Sequence, residues 1–230
     1  LEDGTRRLLF HDGTTEDFDL VVGADGAWSR VRAALTGAVP SYSGVSFVEI
    51  GFDDCDRLHP QLAELTGDGM MIAKSPGQAI IGQRNSNGHI RSYIAFREPE
   101  NWYERAGLNQ LTVGAYLLKK FEGWHESLRD FIALNEGGFI NRPLYALPVP
   151  HSWERVPGIT LLGDAAHLMP PLGLGANLAM LDGTELAQAL VAEDVLDDGV
   201  RAYESTMLPR SVEAAKACEE GLYHLIPLPN

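Results

Sequence analysis

The chain has 230 residues, 45% hydrophobic and 22% charged, a composition suited to a globular protein with one substantial core or two smaller ones. Its 32 acidic side chains against 18 basic ones leave a formal net charge of −14, and a surface that acidic repels nucleic acid and anionic membranes. No signal peptide is expected, and no run reaches the roughly 18 apolar residues that a membrane span needs. The only cysteines, Cys55 and Cys218, lack metal-ligand spacing, so the sequence points to a cytoplasmic protein with free thiols and no metal.

In chain order, apolar runs at 7–10 and 18–22 flank an Asp12-Gly13 turn, which predicts a hairpin. The second run continues unbroken into Gly23, as expected of a strand covered on both faces, and Ser29 is placed to cap a short helix through Leu35. From about Tyr42 to Arg97 the pattern becomes β, with strands expected at 45–52, 70–74, 79–84 and 89–97. Ser75-Pro76-Gly77 and Asn85-Ser86-Asn87-Gly88 supply turns. Amphipathic helices follow near 111–122 and 124–135, then a strand around 140–147 that returns the chain towards its first region.

A four-residue apolar strand at 159–162 runs straight into Gly163-Asp164, a Pro- and Gly-rich loop spans 169–175, and long helices are expected at 176–193 and 200–224. This order predicts an α/β fold in which a nucleotide-binding parallel sheet, 1–38 and 148–230, is interrupted by a β-rich insertion at 39–147, a plausible domain in itself.

The chemistry concentrates at 159–177. A buried strand delivers Asp164 to the carboxyl edge of a sheet, where open α/β folds bind ligands, and a carboxylate there can accept hydrogen bonds from ribose or polyol hydroxyls. Gly173 and Gly175 let backbone approach a planar ligand, and a helix starting near Ala176 turns its free N–H groups and positive dipole end towards that loop. Ala176, Ala179, Gly183 and Ala187 recur at near-helical spacing and are expected to pack a helix closely on a sheet. His167 is expected to be a structural hydrogen-bonding residue rather than a general base, because no Ser-His-Asp order or nucleophile elbow accompanies it.

This stretch resembles the Gly-Asp motif of the FAD-dependent aromatic hydroxylases, the class A flavoprotein monooxygenases. Residues 21–32 (Val-Val-Gly-Ala-Asp-Gly-Ala-Trp-Ser-Arg-Val-Arg) resemble the Asp-Gly motif of the same family, and the two occur in the family's order. The resemblance implies a Rossmann-like FAD-binding domain of the para-hydroxybenzoate-hydroxylase type, with an inserted antiparallel sheet as the floor of the substrate pocket.

It also implies roles. Asp164 would bind the ribityl chain of FAD. Pro171, Gly173, Leu174, Gly175, Ala176 and Asn177 would run past the isoalloxazine, where a helix end favours the negative charge of a reduced flavin. Asp25 and Gly26, helped by Arg30 or Arg32, would lie near the pyrophosphate. The family oxidises NAD(P)H, a transient reductant, and transfers one oxygen atom of O2 to an electron-rich substrate. The reactive oxygen belongs to the cofactor, so no catalytic side chain is assigned.

Within the family, the likeness is greatest to the antibiotic-modifying, tetracycline-inactivating monooxygenases. It rests on 44–49, 85–88, Pro99-Glu100-Asn101-Trp102 and His167-Leu168-Met169-Pro170-Pro171. Matching to that group places Glu49, Met70, Ile81, Arg91 and Leu172 around the substrate, and Gln83 and Tyr93 share strand faces with Ile81 and Arg91 by the period of two. Arg91 is suited to a phenolate or carboxylate. Glu49, Met70 and Leu172 stand where that group usually has an amide, a basic residue and an aromatic, so the expected substrate is an aromatic or polyketide-like small molecule.

The chain opens on Leu1 rather than Met, and no Gly-rich phosphate loop follows a strand, so the segment that opens such a fold is expected to be missing. The alternative expectation is a truncated, inactive fragment or a flavin-free binding module. Such a chain would bind FAD poorly and be unstable, with open sheet edges.

Overall fold

A computed structural model describes residues 5–135 and 137–229; the opening Leu1 lies outside the described residues. The chain divides into two compact units, Leu1–Ser41 with Tyr145–Gly221, and Tyr42–Leu144 with Leu222–Asn230. It begins with β1 (Arg6–Leu9), β2 (Thr15–Phe18), β3 (Val21–Gly23) and a 3-10 turn, Arg32–Ala34. Next come β4 (Ser41–Phe52), α1 (Cys55–Leu58), α2 (Pro60–Thr66), β5 (Met70–Ser75), β6 (Gln78–Arg84) and β7 (Ile90–Arg97). Helices α3 (Trp102–Arg105), α4 (Val113–Lys120) and α5 (Glu126–Ala133) lead to β8 (Ile140–Ala146). The chain closes through β9 (Ile159–Leu161), α6 (Asp164–His167), α7 (Gly175–Ala192) and α8 (Leu196–Leu225).

In the first unit β3 and β9 pair in parallel, Val21 opposite Ile159 and Gly23 opposite Leu161. Strand β9 is buried throughout and packs in a core with Ala165, Ala166, Leu186, Tyr203 and Met207. Its polar atoms are satisfied from nearby helices and loops. The Thr160 hydroxyl donates to Glu204 at 2.7 Å, Trp153 Nε1 donates to the same carboxylate at 3.1 Å, and the Tyr203 hydroxyl donates to the Leu161 carbonyl at 3.0 Å.

Two expectations are corrected here. The hairpin partner of β1 is Thr15–Phe18 and not 18–22, because the Asp12 carboxylate accepts the Thr14 N–H at 2.9 Å and closes the turn early, while the Arg7–Asp17 ion pair sits across the new ladder. Strand β3 is not covered on both faces: Val21 and Gly23 are buried, but Val22 is 36% exposed. Ser29 does act as a cap, its Oγ accepting the Arg32 N–H at 2.9 Å, over a 3-10 turn rather than an α-helix.

The second unit is a five-stranded sheet in the order β5-β6-β7-β4-β8, with antiparallel pairing of β5, β6, β7 and β4. One face carries Val48, Ile50, Phe52, Ile80, Ile90, Ile94 and Phe96 into a core closed by Leu62 of α2, Trp102 of α3, Leu117 of α4 and Phe131 of α5. Phe96 and Trp102 meet edge to face at 4.9 Å.

Helices α1 and α2 were not anticipated, although Pro60 at the start of α2 and Gly67 at its end (φ 65°) are recognisable start and stop signals. The tail also differs from expectation, since Leu222–Asn230 is grouped with the sheet unit and not with the second nucleotide-fold piece. Carbonyls at the end of α8 and beyond it lack helical partners and are taken up by the sheet. Lys74 donates to the His224 carbonyl at 3.1 Å, Arg97 to Ile226 at 2.8 Å and the Gly77 N–H to Pro227 at 2.8 Å.

Among the described residues, no helix is long and apolar enough to cross a membrane. Cys55 and Cys218 are buried free thiols in different units.

Candidate active site

Because β3 and β9 lie side by side in parallel, the loops that follow them leave the same carboxyl edge of the sheet. After β3, the Asp25 carboxylate accepts Ser29 Oγ at 2.5 Å and the Arg30 N–H at 2.8 Å, closing its own loop. Burial pushes the Asp25 pKa up, but these bonds, with a weaker one from the Val31 N–H, outweigh it and hold the group below the usual carboxylate range.

Arg32 is buried, and its guanidinium donates to the carbonyls of Ala27 at 2.6 Å, Ala165 at 3.0 Å and Asp164 at 3.4 Å. It therefore ties the Asp25-Gly26 loop to the Gly163-Asp164 turn. The Arg30 side chain is exposed.

Gly163 adopts φ 60°, ψ −145°, a region open only to glycine, and a Cβ there would stand 3.1 Å from Ala179 Cβ on α7. Beneath this turn lies a buried polar cluster. Asp182 Oδ2 accepts His167 Nε2 at 2.6 Å and the Gly163 N–H at 3.0 Å, while Arg210 donates to Asp182 Oδ1 at 2.9 Å and to Glu185 at 2.6 Å. Burial raises the Asp182 pKa, but the bonds from His167, Gly163 and Arg210 more than offset it and bring it below the usual range.

His167 is thus bound to Asp182 and turned away from the surface. Of the small-residue stripe on α7, only Ala179 meets the turn, and Ala176 and Ala187 are exposed. Sequence reasoning missed Asp182 and Arg210; the available signal was an acidic residue inside the apolar run that precedes Gly183.

Asp164 leaves this turn exposed, and it lies beside the start of α7, where a Cβ on Gly175 would come within 3.8 Å of Asp164 Oδ1. No side chain caps α7, so the first-turn N–H groups of Gly175, Ala176 and Asn177 have no intrahelical acceptor. Ala176 and Asn177 are exposed, and a Cβ built on Gly173 (φ 92°) or Gly26 (φ 78°) would meet nothing within 4 Å. An exposed carboxylate, free N–H donors and side-chain-free backbone are a donor and acceptor set that suits a cofactor with both hydroxyls and anionic groups. The residues fit FAD.

On the second unit, strand register brings most of the expected substrate residues onto one sheet face. Met70 pairs with Gln83 and Gln83 with Arg91, while Ile81 pairs with Tyr93 and Tyr93 with Glu49; all six oppose the helix-covered core face. Leu172 belongs to the other unit, where its Cδ1 would lie 2.6 Å from a Cβ on Gly221 of α8. A residue not anticipated joins the face: Arg142 of β8 donates to Glu49 Oε2 at 2.9 Å.

Residues 151–215 match the family model of the FAD binding domain. Monooxygenase penA of Penicillium thymicola is 29% identical over 88% of this chain and 58% of its own length. The 3-amino-4-hydroxybenzoate 2-monooxygenase PtnB3 of Streptomyces platensis is 32% identical over 93% of this chain and 52% of its own. The chain therefore spans little more than half the length of these relatives.

Among solved structures, HpxO of Klebsiella pneumoniae with FAD and uric acid superposes with a TM-score of 0.84 at 21% identity, covering 97% of this chain and 56% of that one. Tetracycline destructase Tet(51) superposes at 0.62 and 19% identity, covering 95% and 59%. The chain shares the fold of these two structures, its relatives by sequence are named monooxygenases, and residues 151–215 match the FAD binding domain.

Proposed function

We propose that the chain is the working part of an FAD-dependent monooxygenase that uses NAD(P)H and O2 to hydroxylate an aromatic or polyketide-like small molecule. The observation that carries this reading is the exposed Asp164 carboxylate beside the uncapped start of α7, held in place by Arg32 and Asp182. Bound FAD supplies the redox chemistry, taking electrons from the reductant and activating O2.

The chain's own residues position it. Asp164 accepts hydroxyl hydrogen bonds. Pro171, Gly173, Leu174, Gly175, Ala176 and Asn177 present backbone to the flat ring, and the α7 N-terminus favours negative charge. Asp25, Gly26 and Arg30 border the phosphates, with Asp25 acting through the loop it closes. Glu49, Met70, Ile81, Gln83, Arg91, Tyr93 and Leu172 read the substrate.

An aromatic substrate is supported by the relative named for an aminohydroxybenzoate and by the structural neighbour holding uric acid. Two buried thiols and an acidic surface suit the cytoplasm. The test is turnover of candidate phenols with NADPH under ¹⁸O2. One labelled oxygen in the product is expected, and a product without label would overturn the monooxygenase reading.

A further inference from the structure

Two imidazoles of the first unit, His151 and His167, line one small cavity, and each has one nitrogen committed to the protein. His151 Nδ1 lies 2.8 Å from the Ala166 carbonyl, which can only accept, so Nδ1 carries the proton and Nε2 keeps a lone pair. His167 Nε2 lies 2.6 Å from the Asp182 carboxylate, so the neutral ring carries its proton there and keeps a lone pair on Nδ1. The two remaining atoms, His151 Nε2 and His167 Nδ1, are shut off from solvent and have no hydrogen-bond partner among the described residues. A buried acceptor left in that position costs more than an ordinary hydrogen bond returns.

The cavity leaves about 10 Å³ for the centre of a water-sized molecule, which is room for one and no more. The wall side chains Leu147, Pro148, Leu168, Val212 and Ala215 are apolar. The Ser211 hydroxyl donates to the Leu208 carbonyl at 2.9 Å, so its oxygen, like the two nitrogens, offers only lone pairs. A guest that satisfies both rings must therefore bring two donors. Burial, with Arg32 and His167 adding to it, depresses the His151 pKa, so this wall resists positive charge and disfavours a cation. Water is the neutral donor of the right size.

We propose that this cavity is a binding site for a single water molecule, which donates one O–H to His151 Nε2 and the other to His167 Nδ1. Asp182, His167, the water, His151 and the Ala166 carbonyl then form one continuous hydrogen-bonded chain. Ala166 and His167 are the last residues of α6, so the chain pins the far end of the helix that begins at Asp164. His151 becomes a positioning residue. One of its nitrogens holds the Ala166 carbonyl, and the other, through the water, orients the His167 ring. The site stands whether or not FAD binds at the start of α7.

The test is NMR of the 230-residue chain, combining water-to-imidazole cross-relaxation with long-range ¹H–¹⁵N correlation of the histidine rings. The wild type is expected to show a long-lived water close to the Hε1 protons of both His151 and His167, with the proton on Nδ1 of the first ring and Nε2 of the second. Ala215→Leu, which fills the cavity and leaves both imidazoles in place, should abolish both water contacts. It should also move His151 Nε2 and His167 Nδ1 downfield, towards an unbonded imidazole nitrogen. His151→Phe should move His167 Nδ1 in the same direction while its Nε2 stays protonated against Asp182, a response that a merely space-filling His151 would not produce.

A wild type with no water contact at either ring, or at one ring only, overturns the proposal. So do water contacts that survive Ala215→Leu unchanged, or a His167 Nδ1 resonance indifferent to both substitutions.

Discussion

Replacing Asp182 by alanine perturbs the cluster that holds the Gly163 turn. The side chain is fully buried, and its two oxygens serve His167 at 2.6 Å, the Gly163 N–H at 3.0 Å and Arg210 at 2.9 Å. Alanine leaves an imidazole N–H and a backbone N–H without an acceptor, while Arg210 keeps Glu185 at 2.6 Å.

Removing one partner of a buried pair costs about 3–5 kcal/mol, which in a chain of this length lowers Tm by roughly 6–20 °C. Glu185→Ala is the control. Glu185 is 27% exposed and binds only the far end of Arg210, so its loss costs about 1 kcal/mol or less and moves Tm by roughly 4 °C at most. Thermal unfolding followed by circular dichroism compares the two. Equal and small shifts would refute the reasoning that the buried carboxylate, and not the outer ion pair, holds the turn.

The folded-state pKa of Asp182 is depressed, so its contribution is fully present above the unfolded carboxylate value and is lost as pH falls through the folded one. Between pH 5 and 2 the wild type should therefore lose stability more steeply than Asp182→Ala.

Two further predictions concern the same unit. Gly163→Ala, forced into φ 60°, ψ −145° and against Ala179 at 3.1 Å, should cost about 1–3 kcal/mol, and an unchanged denaturation midpoint would contradict the strain argument. Burial pulls the His151 pKa down, with Arg32 and His167 adding to the effect against the Ala166 carbonyl bond, so the folded state resists a proton that the unfolded chain accepts. Stability should therefore drop as pH falls below the ordinary imidazole value of about 6.5. The urea midpoint should fall more between pH 7.5 and 5.5 in the wild type than in His151→Gln, and equal falls would count against a depressed pKa.

The sheet strands were legible because alternation against a helix-covered face leaves a period of two, which 90–94 shows before the alternation gives way to the buried run Ile94-Ala95-Phe96. The 163–177 stretch was legible from its glycines, its prolines and one acid at the end of an apolar strand. Illegible were the residues whose partners lie far along the chain. Arg32 reaches Ala165 across 133 positions and Arg142 reaches Glu49 across 93, and no local pattern marks either. The hairpin was misplaced because 18–22 is as apolar as a hairpin strand, whereas the actual partner, Thr15–Phe18, is mostly polar and held by Arg7–Asp17 and the Asp12 turn. The tail was assigned to the wrong piece because what holds it to the sheet unit is mainly hydrogen bonding to its carbonyls, which side-chain pattern does not encode.

The central claim is that Asp164 and the start of α7 hold FAD, and titration of FAD fluorescence against the wild type and Asp164→Asn tests it most directly. Binding should be saturable and about tenfold weaker in the variant, the effect of losing a charge-assisted acceptor. Tm should be unchanged, because the Asp164 side chain is exposed and supports nothing beneath it. Equal FAD affinity of the two proteins would contradict the claim.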